Sequence, residues 1–205
     1  MPEITGVKDR RGKSRIFVDG EFRAEIDSDV AVERGLFEGV TLPEDELDES
    51  LFAGERALVM SRALHLLGYR ARSEGELRER LARYGHREDI VERVIQRLGE
   101  IGYLDDEEFA RGFASQRARK YGPQRVAMEL RRIGVDAETT DAAVEEAFLE
   151  HPEEAAAREA ASRRYNTPDR SEAVSRRVYG FLARRGYSSD ICADVARSYR
   201  ESPVE

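Results

Sequence analysis

Six cations crowd into one short stretch of this chain: Arg117, Arg119, Lys120, Arg125, Arg131 and Arg132. From Arg111 to Gly134 there are seven basic residues against one acid, Glu129, whereas Val135 to Ala157 holds eight acids and no Lys or Arg. Guanidinium groups are planar forks of N–H donors that match carboxylates and phosphates, so this stretch suits recognition of an anionic partner. Arg72 is a further candidate of the same kind, and Arg83, Arg176, Arg177 and Arg184 are weaker ones. For any one of them the plainer role is solvated helix surface or half of an intramolecular ion pair. Tyr69, Tyr84, Tyr103, Tyr121, Tyr165 and Tyr187 fall near predicted helix ends, several beside basic residues. Such rings can stack on a base or a partner, although a core-edge ring with its hydroxyl in water is the commoner use.

Other chemistry is hard to find. The sequence has no Gly-x-x-x-x-Gly-Lys-Ser/Thr phosphate loop, no His-Glu-x-x-His pair and no Gly-x-Ser-x-Gly elbow. His65, His86 and His151 lack metal-ligand spacing. Cys192, the single cysteine, falls at an apolar helix position and reads as a small buried hydrophobe. We therefore expect no catalytic residue, no metal and no cofactor. One cysteine permits no internal disulfide, which fits a reducing cytoplasm. No stretch approaches the roughly 20 apolar residues of a membrane span, and Met1 to Arg10 has no hydrophobic signal region. A net charge of −8 argues against a simple duplex-DNA binder, which needs a positive face. A helical module acting directly on nucleic acid is the alternative reading.

What must position these cations is a repeated helical framework. Leu77, Leu81, Tyr84 and Gly85 recur as Val126, Leu130, Ile133 and Gly134, 49 positions on, and again as Val178, Leu182, Arg185 and Gly186, a further 52 on. Side chains at i, i+4 and i+7 followed by Gly describe one helix face closed by a left-handed cap. A second set returns after each Gly: Ile90, Val94 and Leu98; Thr139, Ala143 and Ala147; Ile191, Val195 and Tyr199. Upstream, Met60 and Leu64 match Phe109 and Phe113. The pattern predicts three tandem three-helix units forming an elongated, mainly α array, and repeats of this kind bind partners. Leu77, Leu81, Val126, Leu130, Phe109 and Phe113 should be core.

The predicted helices run from Glu44 to Leu67, Ser73 to Tyr84 and Glu88 to Ile101 in the first unit. The second opens at Asp105-Asp106, breaks at Gly122-Pro123 and restarts at Asp136. The third covers Glu153 to Tyr165, Ser171 to Arg185 and Ser188 to Tyr199, with a break at Thr167-Pro168-Asp169. Pro43 followed by three acids is a good helix start, and Ser73 with Glu76 reads as a capping box. Before them, Arg15 to Val18 and Glu21 to Ile26 are β-prone runs joined by Asp19-Gly20, a strong hairpin signal. Ile4 to Lys8 offers a third strand and Asp29 to Leu36 a short helix. A lone hairpin is marginal in water, so this one should pack on the first unit through Phe17, Phe22 or Ile26 and serve as a cap. The resulting domains are 1–42 for the cap and 43–102, 103–151 and 152–205 for the repeats.

Several motifs in this order resemble those of one family. Arg72-Ser73-x-x-Glu76-Leu77-x-x-x-Leu81 is followed by Gly102-Tyr103-Leu104-Asp105-Asp106-x-x-Phe109-Ala110. Next come Arg117, Gly122-Pro123-x-Arg125 and Leu130-x-x-x-Gly134. Together they resemble RecX, the regulator of the RecA recombinase, over roughly Val59 to Val195. The third unit departs most, with Arg185 where the earlier copies place Tyr84 and Ile133. The resemblance implies a non-enzymatic, cytoplasmic, monomeric protein of DNA repair, recombination and the SOS response. Its implied partner is the RecA filament, with DNA in the filament groove as a further implied contact. There it would restrain strand exchange, ATP turnover and promoted repressor cleavage. No membrane is involved. Arg117 and Arg125 lie within the family-like motifs, which sets them above the other cations as contact residues.

Overall fold

The computed structural model describes residues 1–166 and 171–200. The chain opens with β1 (Ile4–Asp9), β2 (Lys13–Val18) and β3 (Glu21–Asp27), an antiparallel sheet in that spatial order. The Asp19-Gly20 turn adopts φ of 49° and 89°, the left-handed pair that a two-residue hairpin needs. Strand alternation sends Ile4, Ile16 and Ile26 inward, where they join Ala31, Leu36, Leu47 and Leu51 in one core. Ile26 thus packs as expected. Phe17 and Phe22 do not: they are cross-strand partners of each other on the face opposite Ile16, Phe17 by strand alternation and Phe22 because the β2–β3 register shifts between Ile16 and Phe17. Ile26 also lies so close to Gly54 that a Cβ there would overlap its side chain. The short α1 (Ser28–Glu33) is capped by Asp27, whose carboxylate accepts from the Asp29 N–H at 3.0 Å.

Nine further helices follow among the described residues: α2 (Glu44–Tyr69), α3 (Glu74–Ala82), α4 (Glu88–Glu100), α5 (Asp106–Ala118), α6 (Pro123–Arg132), α7 (Ala137–Glu150), α8 (Glu153–Arg164), α9 (Glu172–Arg184) and α10 (Ser189–Ser198). Acids at Glu44, Asp45 and Glu46 occupy the positive end of α2. Asp105 and Asp136 cap α5 and α7, accepting from the N–H of Glu108 at 2.8 Å and Thr139 at 2.9 Å. Hydrogen bonding to that backbone holds the Asp136 carboxyl below its ordinary pKa. The expected break at Thr167-Pro168-Asp169 lies outside the described residues.

Each helical triplet has its own interior. Leu77, Leu81, Ile90, Val94 and Leu98 close the first, with Val59, Ala63 and Leu66 from α2. Met60 is only half-buried and Leu64 is exposed, so the core face of α2 is rotated from the one the Phe109 and Phe113 match predicted. Val126, Leu130, Ala143 and Ala147 close the second with Ala110, Ala114 and Ala118, and Phe109 and Phe113 pack half-buried against it. Val178, Leu182, Cys192, Val195 and Tyr199 close the third with Ala157 and Ala161. Burial raises the Cys192 thiol above its ordinary pKa and pushes the Tyr187 phenol up to about 12. The chain divides into two compact bodies, residues 1–72 with 76–104, and residues 73–75 with everything from Asp105 onward. No described helix is long and apolar enough to cross a membrane.

Candidate partner-binding site

The basic stretch predicted from sequence occupies the end of α5, the connection after it and all of α6. Three arginines converge there on one ring. The guanidinium carbons of Arg117, Arg125 and Arg185 lie 5.5, 4.3 and 5.7 Å from the centroid of Tyr121. Such cation–π contacts offset part of the repulsion between like charges. Glu129 supplies the counter-charge. Its Oε1 accepts from Arg125 Nε at 2.9 Å, and its Oε2 is 3.1 Å from Arg117 Nε. The second contact has the distance of an ion pair but not the direction of a hydrogen bond.

This cluster joins the second triplet to the third. Gly122 donates its N–H to the Arg185 carbonyl at 2.9 Å, and Gln124 donates to the Gly186 carbonyl at 3.2 Å. Arg185 Nη1 returns a bond to the Lys120 carbonyl at 3.0 Å, while Arg125 Nη1 reaches the Arg184 carbonyl at 3.4 Å. A Cβ at Gly122 would overlap the Gly186 carbonyl. Glycine is therefore required on steric grounds. Arg185, the residue that breaks the repeat pattern, is a joint residue that bridges Tyr121 and Phe181.

The predicted contact residues divide accordingly. Arg117 and Arg125 are half-buried in the joint. Arg131 is exposed and paired with Asp141 at 2.5 Å, so part of the acidic stretch neutralises part of the basic one. Arg119, Lys120 and Arg132 are exposed, with no carboxylate partner among the described residues. Arg72 stands apart from this group. It is buried, donates from Nε to the Leu66 carbonyl at 3.2 Å, and pairs with Glu76, which also receives Arg70. Glu76 of the predicted capping box is thus an acceptor for two arginines.

Family models for the first, second and third three-helix domains of RecX match residues 60–98, 105–144 and 152–195. The Regulatory protein RecX of Mycolicibacterium vanbaalenii is 38% identical over 159 residues, covering 73% of this chain and 85% of that one. The chain belongs to the RecX family. The RecX of Chromobacterium violaceum is 34% identical over 143 residues, covering 70% of this chain and 91% of its own. A crystal structure of regulatory protein RecX has a TM-score of 0.64 at 25% identity, with 93% of this chain and 97% of the other covered. RecX from Lactobacillus salivarius, 20% identical with a TM-score of 0.57, shares the fold.

Elsewhere in this RecX chain two of the four weaker arginine candidates are engaged in ion pairs. Arg83 pairs with Glu79 one helical turn away, and Arg176 pairs with Glu172 at 3.3 Å. Arg177 and Arg184 are exposed. Tyr165 donates its hydroxyl to the Arg177 carbonyl at 3.2 Å, Tyr187 is buried, and Tyr69, Tyr84 and Tyr103 are exposed. Glu129 and Arg185 were not singled out from sequence as site residues. Glu129 was legible as the one acid in the basic stretch, four residues after Arg125.

Proposed function

We propose that this RecX-family chain binds the RecA filament on DNA as a monomer in the cytoplasm and restrains strand exchange, ATP turnover and repressor cleavage, with no chemistry of its own. The observation that supports this reading best is the set of exposed cations on the second triplet, Arg119, Lys120 and Arg132, which face no carboxylate of their own chain among the described residues. They are available to acidic groups of a filament or to phosphate in its groove. Arg131 joins them when its pair with Asp141 opens, since exposed pairs contribute little. Arg117, Arg125 and Arg72 act in this reading as positioning residues that fix the helices carrying the contacts. Tandem triplets raise the effective concentration of each modest contact along a polymeric partner.

The test follows ATP hydrolysis and repressor cleavage by RecA on single-stranded DNA as the chain is added. Both rates should fall at stoichiometries near the filament subunit ratio. The double variant Arg119→Glu with Lys120→Glu should need about ten times more protein for the same effect, with unchanged helicity by circular dichroism. Unaltered rates with the wild-type chain would remove the proposal. Full potency in the variant would shift the contact to another triplet.

A further inference from the structure

The face of the N-terminal sheet opposite Ile4, Ile16 and Ile26 carries two aromatic rings surrounded by cations. Phe17 and Phe22 are direct cross-strand partners with ring centroids 5.9 Å apart, edge to face, and Phe22 is 50% exposed. Lys8 and Arg15 face each other across β1 and β2. Lys8 Nζ lies 4.8 Å from the Phe17 centroid and the Arg15 guanidinium 4.7 Å from that of Phe22. The β1–β2 turn adds Arg10 and Arg11, both exposed.

These four cations have no carboxylate partner among the described residues, whereas their neighbours do. Lys13 pairs with Glu25 at 3.2 Å, and Arg23 pairs with Glu44 and Asp48 at 2.9 and 2.8 Å. Asp9, the one acid among five basic residues from Lys8 to Arg15, accepts a hydrogen bond from Ser14 Oγ at 2.5 Å. The four cations and Phe22, with Lys13, Asp9 and Glu25, line an open concavity of about 720 Å³.

The turn is strained in a telling place. Arg11 and Gly12 have φ of 52° and 78°, and Asp19 and Gly20 repeat the geometry at 49° and 89°. The first position of such a turn favours Asn, Asp or Gly, which tolerate the left-handed region. Asp19 obeys this preference and Arg11 does not. Arg11 gains no ion pair or side-chain hydrogen bond among the described residues in return, and it is exposed at the hairpin tip.

Sheet stability explains a cross-strand aromatic pair. It does not explain the half-exposed Phe22 ring, four cations without a carboxylate partner among the described residues, or an arginine where asparagine would sit more easily. Single-stranded nucleic acid fits all three, because an exposed ring takes a base and cations take the flanking phosphates. A duplex hides its base faces and would use only the charges. An acidic peptide would leave the ring unused. We propose that this face binds single-stranded nucleic acid, a base stacking on Phe22 beside Phe17 and the phosphates running past Lys8 and Arg15 to Arg10 and Arg11.

The test uses the full chain, without recombinase, so its outcome is independent of the filament proposal. Binding to a labelled oligothymidylate of about 16 nucleotides is followed by fluorescence anisotropy across a salt series, beside a hairpin duplex. Phe22→Ala should weaken oligonucleotide binding about 5- to 100-fold and leave duplex binding little changed. Arg10→Gln with Arg11→Asn should reduce the slope of log affinity against log salt by about 1.4, since each phosphate contact contributes about 0.7. Because Asn suits the turn, that variant should melt no lower than the wild type, which separates lost binding from lost folding. Failure of the wild type to bind the oligonucleotide would overturn the proposal. So would a Phe22→Ala affinity equal to wild type, or parallel losses on single strand and duplex.

Discussion

Gly85 and Gly186 both cap helices in the left-handed region, at φ of 80° and 79°, yet a methyl group at each meets a different environment. At Gly85 it would find nothing within 4 Å, while at Gly186 it would lie 2.5 Å from the Cβ and the backbone nitrogen of Arg125. Gly85→Ala should therefore carry only the left-handed cost, about 1–2 kcal/mol. Gly186→Ala adds overpacking at the joint, about 1–3 kcal/mol more. If the joint opens, the bonds from Gly122 and Gln124 go with it at about 0.5–1.5 kcal/mol each. Gly122 has φ of −78°, so Gly122→Ala isolates the steric part at about 1–3 kcal/mol. Urea unfolding followed by ellipticity gives the three values, and hydrogen exchange at the Gln124 amide localises the damage. Equal losses for Gly85→Ala and Gly186→Ala, or unchanged exchange at Gln124, would refute this account of the joint.

Leu81 is fully buried in the first triplet, and Leu81→Ala should cost about 2–5 kcal/mol by urea denaturation. His86 Nε2 sits 2.9 Å from an Arg62 guanidinium nitrogen, and burial first, then the charges of Arg62 and Lys13, hold its pKa below 6.5. The unfolded chain therefore takes up the proton first, so the His86 contribution is complete above pH 6.5 and declines as pH falls through that value. His86→Gln should flatten the dependence of the urea midpoint between pH 7.5 and pH 5, and the difference from wild type is the quantity to measure.

Periodicity places the second helix of the first two triplets correctly but not Phe109 and Phe113, which it makes core and which are half-buried beside Ala110 and Ala114. Leu77, Leu81, Val126 and Leu130 are buried as their spacing required. Asp19-Gly20 forms its hairpin turn, and Asp136 caps its helix. The orientation of Phe17 was not legible, because Ile16-Phe17-Val18 is apolar on both faces and gives no two-residue alternation. The rotation of α2 escaped for a related reason: its apolar residues are spread around the helix, and the sheet packs on part of it, as Ile26 against Gly54 shows. Of the site, the density of positive charge was legible. Which cations reach solvent was not, because Arg117 meets Glu129 and Arg185 meets Lys120 only once the helices have packed.

Arg185 shows why the repeat tolerates such different residues at one place. Its counterparts are Tyr84, which is exposed with the Arg62 guanidinium 4.1 Å from its ring, and Ile133, which is half-buried. The position just before each capping glycine is therefore an edge position, and its neighbour selects the side chain. In the third triplet that neighbour is Tyr121, already flanked by Arg117 and Arg125, and the Lys120 and Arg184 carbonyls and Glu129 balance the three charges. Reversing Arg117 or Arg125 would place a carboxylate beside Glu129 and loosen the joint whatever the partner does. A loss of partner binding in those variants would then report on the joint as much as on the surface. Arg119, Lys120 and Arg132 carry no such ambiguity, so a binding loss confined to them would locate the contact itself.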